Sequence, residues 1–289
     1  MSEPAANTLR IFDGALAIVT GGASGIGRAL GEALARRGAH VVLADLQVEA
    51  ATEIASAIRA DGGQATAAKL DVVDFEAVNR LVQETATLHG RLDYLFNNAG
   101  IGVGGEVRHY DIGDWCRVLD VNLRGVVNGV QAAYPIMLRQ GFGHIVNTAS
   151  MAGLVPAPWI VSYTAAKHAV VGLSLALRIE AACAGVRVSV LCPGVIRTPI
   201  LEGGGKYGEL LQPVSAERQR AYWDRYRPMD PGKFAQKVLQ AVARNRPIII
   251  VPWWWKFMWW LTRLSPGLGA WLSRRHFADT KKALGAGES

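Results

Sequence analysis

The chain is poor in cysteine. It holds three cysteines, Cys116, Cys183 and Cys192, in 289 residues. Their odd number and the lack of any CxxC or metal-ligand spacing exclude a disulfide scaffold and the common zinc sites, so no metal is expected. The stretch Met1–Asp13 lacks a basic segment followed by an apolar one, so no secretory signal is expected there. No internal repeat and no low-complexity linker breaks the chain. Acidic residues are scarce in one region only. Residues 1–243 carry 23 Lys/Arg against 22 Asp/Glu, whereas residues 244–289 carry 8 against 2. Six of the nine tryptophans lie in that basic end. A near-neutral body and a basic, aromatic tail are two compositions with two tasks.

Half of the residues are apolar, ample for a sizeable core. Short apolar runs alternate with helical patterns. The runs are Ala15–Val19, Val41–Ala44, Ala65–Leu70, Leu92–Phe96, His144–Thr148, Arg187–Leu191 and Ile248–Val251. Helical patterns between them include Gly25–Arg37, Gln47–Ala60 and Phe75–His89. Strands apolar on both faces and separated by helices predict a parallel sheet covered on both sides. Right-handed crossovers then give a doubly wound (Rossmann) α/β fold of about seven strands. The expected layout is a flexible arm over 1–12, a dinucleotide-binding domain over 13–251 and a tail over 252–289.

The turn after the first run reads Thr20-Gly21-Gly22-Ala23-Ser24-Gly25-Ile26-Gly27. Glycines let backbone approach a pyrophosphate, and the dipole of the following helix favours its negative charge. The spacing is Gly-x-x-x-Gly-x-Gly rather than the commoner GxGxxG. Asp45 ends the second run, where a carboxylate can accept from ribose hydroxyls and repel a 2′-phosphate. Leu46 follows, where a 2′-phosphate binder would want Arg or Lys. The cofactor read from this is NAD. Farther along, Tyr163 and Lys167 are spaced to share one helix face, with Ser150 thirteen residues upstream of the tyrosine. Behind a dinucleotide turn they describe an acid–base device beside a hydride carrier.

Over residues ~13–251 the chain resembles the short-chain dehydrogenase/reductase family. Six motifs carry the resemblance in order: Thr20 to Gly27; Asp71-Val72; Asn97-Asn98-Ala99-Gly100; Asn122; the trio Ser150, Tyr163 and Lys167; and Pro193-Gly194-Val195-Ile196-Arg197-Thr198. The resemblance implies that Asp71 and Val72 flank the adenine, that Asn98 lies beside the cofactor, and that Thr198 faces the nicotinamide carboxamide. It also implies that Asn122 holds a water linking Lys167 to solvent. Tyr163 is then the general acid/base, Lys167 the residue that lowers its pKa and binds ribose, and Ser150 the partner of the substrate oxygen. Relatives of this kind form dimers or tetramers, so a homo-oligomer is expected.

Two segments would flank the substrate. The loop after Ser150 is almost wholly apolar and includes Pro156 and Trp159. The insert at about 199–230 includes Leu201, Tyr207, Leu210 and Trp223, and its Gly203-Gly204-Gly205 suggests a lid hinge. Such walls point to a hydrophobic secondary alcohol or ketone of the steroid, retinoid, long-chain or aryl carbinol class. An NADPH-dependent carbonyl reductase and a non-catalytic NAD-binding sensor or membrane-tethered scaffold are the alternatives.

The tail segment Trp253–Leu264 is too short to span, since a dozen helical residues reach about 18 Å against a hydrocarbon core of about 30 Å. Ser265-Pro266-Gly267 is expected to break the helix before a second piece, Leu268–Phe277. Tryptophans flanked by Lys and Arg fit a water–lipid boundary, so residues 253–277 are a candidate membrane-surface contact on a cytoplasmic protein. Packing on a second subunit or over the substrate mouth is the competing reading. Nucleic acid is not an expected partner, because no matching fold element accompanies the charge.

Overall fold

The computed structural model describes residues 8–202 and 207–284. In chain order the main elements are β1 (Leu16–Thr20), α1 (Gly25–Ala35), β2 (His40–Asp45), α2 (Val48–Ala60), β3 (Gln64–Lys69), α3 (Phe75–His89), β4 (Tyr94–Asn97) and β5 (Gly102–Gly104). There follow α4 (Ile112–Leu119), α5 (Gly125–Gln140), β6 (Gly143–Thr148), α6 (Val161–Ala182) and β7 (Val186–Pro193). The chain continues through β8 (Gly208–Leu210), α7 (Ala216–Asp224), α8 (Pro231–Ala243), β9 (Ile248–Val251), α9 (Trp255–Leu264) and α10 (Pro266–Leu284).

Seven strands form one sheet in the order β3-β2-β1-β4-β6-β7-β9, and every neighbouring pair is parallel. This is the doubly wound α/β fold. Alternate residues of β1 serve opposite faces. Ala17 and Val19 pack with Leu30 and Leu34 of α1, Ile54 of α2 and Phe234 of α8. Leu16 and Ile18 pack with Val78 of α3, Val126 of α5 and Val170 of α6. Burial on both faces is why these strands read as unbroken apolar runs. The strand order reverses at β1 and β4, so a crevice opens at their carboxyl ends.

Three features depart from the sequence expectation. Residues 8–12 are fastened rather than loose: the Arg10 amide donates to Asp93 at 3.1 Å, the Tyr94 hydroxyl donates to the Arg10 carbonyl at 2.9 Å, and Phe12 is buried. A second, two-stranded parallel sheet joins β5 to β8. It fixes the insert near the crevice, although the triple-glycine hinge lies outside the described residues. Finally, the tail breaks at Ser265 as expected, but Pro266 already begins α10, and that helix runs past Phe277 to Leu284. A proline in the first turn has no donor to lose there. Gly269 lets α10 fold back on α9, since a Cβ at that position would stand 2.9 Å from Thr262 Cγ2.

Candidate active site

The phosphate end is built by close backbone contacts. Gly21 and Gly25 adopt positive φ of 66° and 50°, a region that favours glycine. A Cβ on Gly27 would meet the Gly21 carbonyl oxygen at 2.0 Å. Ser24 and Ile26 complete the turn into α1, whose N-terminus faces the crevice. Thr20 ties this turn to the next: its hydroxyl accepts from the Asn98 and Ala99 amides at 2.9 and 3.1 Å, and the Asn98 side chain donates to its carbonyl at 3.1 Å. Thr198 closes the other side, with its methyl 3.1 Å from where a Gly25 Cβ would stand. Such a cradle, with no room for side chains and an open helix end, fits a dinucleotide pyrophosphate.

The adenosine end is marked by Asp45. Its two carboxylate oxygens accept from the Ala23 and Gln47 amides, each at 2.9 Å, which holds the group at the tip of β2. Leu46 beside it is exposed. Asp71 caps its own turn by accepting from the Val73 amide. The Val72 carbonyl accepts from Asn128, and the Val72 side chain packs close to Gly125.

The reacting end gathers Ser150, Tyr163 and Lys167. Ser150 caps a short turn after β6, accepting from the Ala152 amide at 3.1 Å, so its own O–H is left to donate forward. Burial pushes the Tyr163 phenol above its ordinary pKa, and a hydrogen bond with Ser150 draws it part of the way back. Lys167 is almost fully buried and donates to the Thr148 carbonyl at 2.8 Å. Its Nζ lies over the Tyr163 ring, 5.4 Å from the centroid. Burial lowers the ammonium to about 8. The Lys167 ammonium is held over the face of the Tyr163 ring, and desolvation is the largest influence on both groups.

Asn122 lies in a π-helical turn, Asp120–Arg124, between α4 and α5. Its side chain clamps Ile101, accepting from that amide at 2.9 Å and donating to that carbonyl at 2.7 Å. A Cβ on Gly100 would stand 2.8 Å from Asn122 Oδ1 and 3.5 Å from Lys167 Nζ, so both side chains border one glycine. The two Asn122 atoms bound to Ile101 each keep one further hydrogen-bonding site, a lone pair on Oδ1 and an N–H on Nδ2. Under the reacting end, Ile196 is buried and follows Pro193-Gly194 at the end of β7.

One cavity of about 830 Å³ joins all three ends and extends to the substrate side. Pro156, Trp159, Leu201, Leu210 and Trp223 line it there.

A family model for short chain dehydrogenases matches residues 15–206. The chain belongs to that family. Among solved structures, a short-chain dehydrogenase/reductase from Burkholderia phymatum in complex with NAD superposes with a TM-score of 0.80 at 34% identity, covering 90% of this chain and 96% of that one. Cyclohexanol dehydrogenase of an Acinetobacter species is 40% identical over 66% of this chain and 76% of its own length. The probable oxidoreductase EphD of Mycobacterium tuberculosis is 37% identical over 82% of this chain but 41% of its own length. The chain thus spans less than half of that longer relative.

Two placements on this dehydrogenase scaffold differ from the sequence reading. Tyr207 also borders the cavity, but its hydroxyl accepts from the Gln47 side chain at 2.9 Å. That puts it over the adenosine edge rather than at the reacting carbon. The tail, read first as a membrane-surface contact with a place over the substrate mouth as a competing reading, is part of the cavity wall through Trp255, Met258, Thr262, Leu272 and His276. Trp255 packs directly on Gly194, where a Cβ would stand 2.2 Å from its indole nitrogen. A signal for this existed in the sequence: Trp255, Met258 and Thr262 fall at helical i, i+3, i+7 spacing on one face.

Proposed function

We propose that the protein is an NAD-dependent oxidoreductase that interconverts a hydrophobic secondary alcohol and its ketone. The observation that carries this is the single cavity. It connects a glycine cradle and Asp45 to Ser150 and Tyr163, and then to walls that are mostly apolar, with Gln219, Arg275, His276 and Asp279 at the side toward α7 and α10. Asp45 supports NAD over NADP, since a fixed carboxylate beside exposed Leu46 offers a 2′-phosphate repulsion and no cation. The NAD in the Burkholderia structure and the alcohol substrate in the Acinetobacter protein's name point the same way.

The bound dinucleotide would supply the hydride acceptor or donor. The chain's residues handle the proton. In oxidation Tyr163 takes the proton of the alcohol oxygen as the carbon loses hydride; in reduction it returns a proton to the same oxygen. Ser150, fixed by the Ala152 amide, donates to that oxygen and holds it near the phenol. Lys167 spends one of its three donors on Thr148 and keeps two for ribose hydroxyls. Asn122 clamps the Ile101 backbone beside them. Trp159, Leu201, Leu210 and Trp223 form walls suited to a bulky apolar body, which supports substrates of the steroid, retinoid, long-chain or aryl carbinol class. The family resemblance supports a homodimer or homotetramer, which sedimentation would test.

The test is an NAD(H)-coupled screen over secondary alcohols and ketones of graded size. Turnover with NAD, strongest for large apolar substrates, is the expected result. NAD binding with no turnover on any of them would replace this reading with a non-catalytic sensor.

A further inference from the structure

The tail has two apolar faces, and only one of them is used by the fold. The inner face carries Trp255, Met258 and Thr262 into the cavity wall. The outer face carries Trp253, Phe257, Trp260, Leu264, Leu268 and Trp271, all exposed, with Trp253, Phe257 and Leu264 each more than two-thirds so. Phe257, Trp260 and Leu264, at helical spacings of three and four, form a stripe on α9 next to Trp253, and Leu268 and Trp271, three apart, form a second short one on α10 beyond the break at Ser265. Two such stripes of large apolar side chains are unusual on the surface of a lone soluble domain and mark a contact.

Charge says what the contact is with. No Asp or Glu occurs anywhere from residue 231 to residue 278. Lys256, Arg263, Arg274 and Arg275 flank the stripes and are exposed. The Arg275 guanidinium stacks on the Trp271 ring at 4.9 Å, and that of Arg263 on Trp259 at 5.8 Å. Pairing this face with a copy of itself would set these cations against each other, with Asp279 the one carboxylate that α9 and α10 carry to offset them. Indole rings beside cations match instead the headgroup level of an anionic bilayer.

We propose that the outer face of α9 and α10 docks on the surface of an anionic lipid bilayer. The tail lies in the interface without crossing; no helix among the described residues is long and apolar enough to cross a membrane. Because the opposite face of the same helices walls the cavity, docking holds the cavity beside the acyl region. The docking reading goes beyond the proposed activity and is measured without turnover.

The experiment is flotation of the full-length protein with phosphatidylcholine vesicles, with and without phosphatidylglycerol. The protein should float with the anionic vesicles and only weakly with the neutral ones, and added salt should lower the anionic binding. Each cation near the surface is worth about fivefold in binding constant. The variant Lys256→Glu/Arg263→Glu should therefore lose at least tenfold on anionic vesicles. The variant Trp253→Ser/Phe257→Ser/Trp260→Ser should lose flotation on both kinds. All five positions lie outside the cavity, so turnover of a water-soluble alcohol should be unchanged in either variant. Full-length protein that stays unbound with anionic vesicles overturns the proposal, as does either variant floating as well as the wild type. It is also overturned if the wild type, without lipid, sediments as a larger assembly than the serine variant. The stripes would then be a subunit interface.

Discussion

The cofactor cradle and the substrate cover face each other across one cavity, yet they are built on opposite plans. The cradle is backbone. Gly21, Gly25 and Gly27 touch main-chain atoms, Asn98 or Thr198 with little space for a Cβ, and Thr20 stitches β1 to β4. The cover is side chain. Trp159, Tyr222 and Leu284 come from three distant segments into one cluster, and hydroxyl contacts such as Tyr222 to Thr280 at 3.0 Å and Tyr226 to His276 at 3.1 Å join lid to tail. Backbone contacts suit a ligand that never varies. A cover of interchangeable side chains lets one scaffold take different substrates, because wall shape changes without disturbing the cradle.

Between the two regions sits Tyr163, and removing its hydroxyl should have the largest effect. Tyr163→Phe is expected to cut turnover by at least about a hundredfold while NADH binding, measured by fluorescence titration, stays largely intact. The pH profile sharpens the assignment. Burial keeps the phenol protonated at neutral pH, and oxidation needs the phenolate. Alcohol oxidation, followed as kcat/KM, should therefore rise as pH rises from 7 toward 9, while ketone reduction stays flat or falls. A profile with the opposite sign would transfer the acid–base role to another group.

The next effect belongs to the cradle alone. Replacing Asp45 by Ser and Leu46 by Arg exchanges a repulsive carboxylate for a phosphate partner. The ratio of kcat/KM for NAD over NADP should fall at least tenfold, with KM for the alcohol little changed. Wild-type preference for NADP at equal concentration would break the reading of Asp45.

These two regions were not equally legible. The seven strands of the main sheet and the turn at Gly21–Gly27 follow from local pattern, because each is specified within a few neighbouring residues, while the trio at Ser150, Tyr163 and Lys167 is read from the family resemblance. The β5–β8 pair was not legible, since Gly102–Gly104 and Gly208–Leu210 have no apolar run and pair across about a hundred residues. Tyr207 reaching Gln47, and Trp255 reaching Gly194, are likewise long-range. The environment of Lys167 escaped for a different reason. Spacing places it near Tyr163, but only the fold shows that the Thr148 carbonyl holds it over the ring.

A smaller effect should separate the cover from the cradle. Trp223→Ala and Leu272→Ala each remove an apolar wall, one from the lid and one from the tail. Each should raise KM several-fold for a bulky secondary alcohol and hardly at all for a small one, since what is lost is uniform binding. NAD affinity should not move. Equal effects at every substrate size would make these residues packing elements only.

The smallest expected effect tests whether the tail closes the cavity or merely rests on it. Lys281 donates to Glu106 at 2.9 Å, joining α10 to the loop after β5, and the hydrogen bond from Lys281 holds the Glu106 carboxyl below its usual pKa. A carboxyl depressed in the folded state contributes above its unfolded value and ceases to contribute as pH falls through its folded one. The clasp is therefore intact at neutral pH and lost only in acid. Pairs this close to solvent contribute little and weaken with salt. Glu106→Gln should leave global stability nearly unchanged in a thermal melt. What it should alter, by no more than a few-fold, is KM for the largest apolar substrates, and high salt should produce the same change in the wild type and none further in the variant. If the variant binds large substrates normally at low salt, the Tyr222, Tyr226 and Leu284 contacts, with Trp255 on Gly194 and Ser273 on the Pro156 carbonyl, hold the tail in place. The ion pair would then be incidental to the cover, leaving the two plans joined through aromatic packing rather than charge.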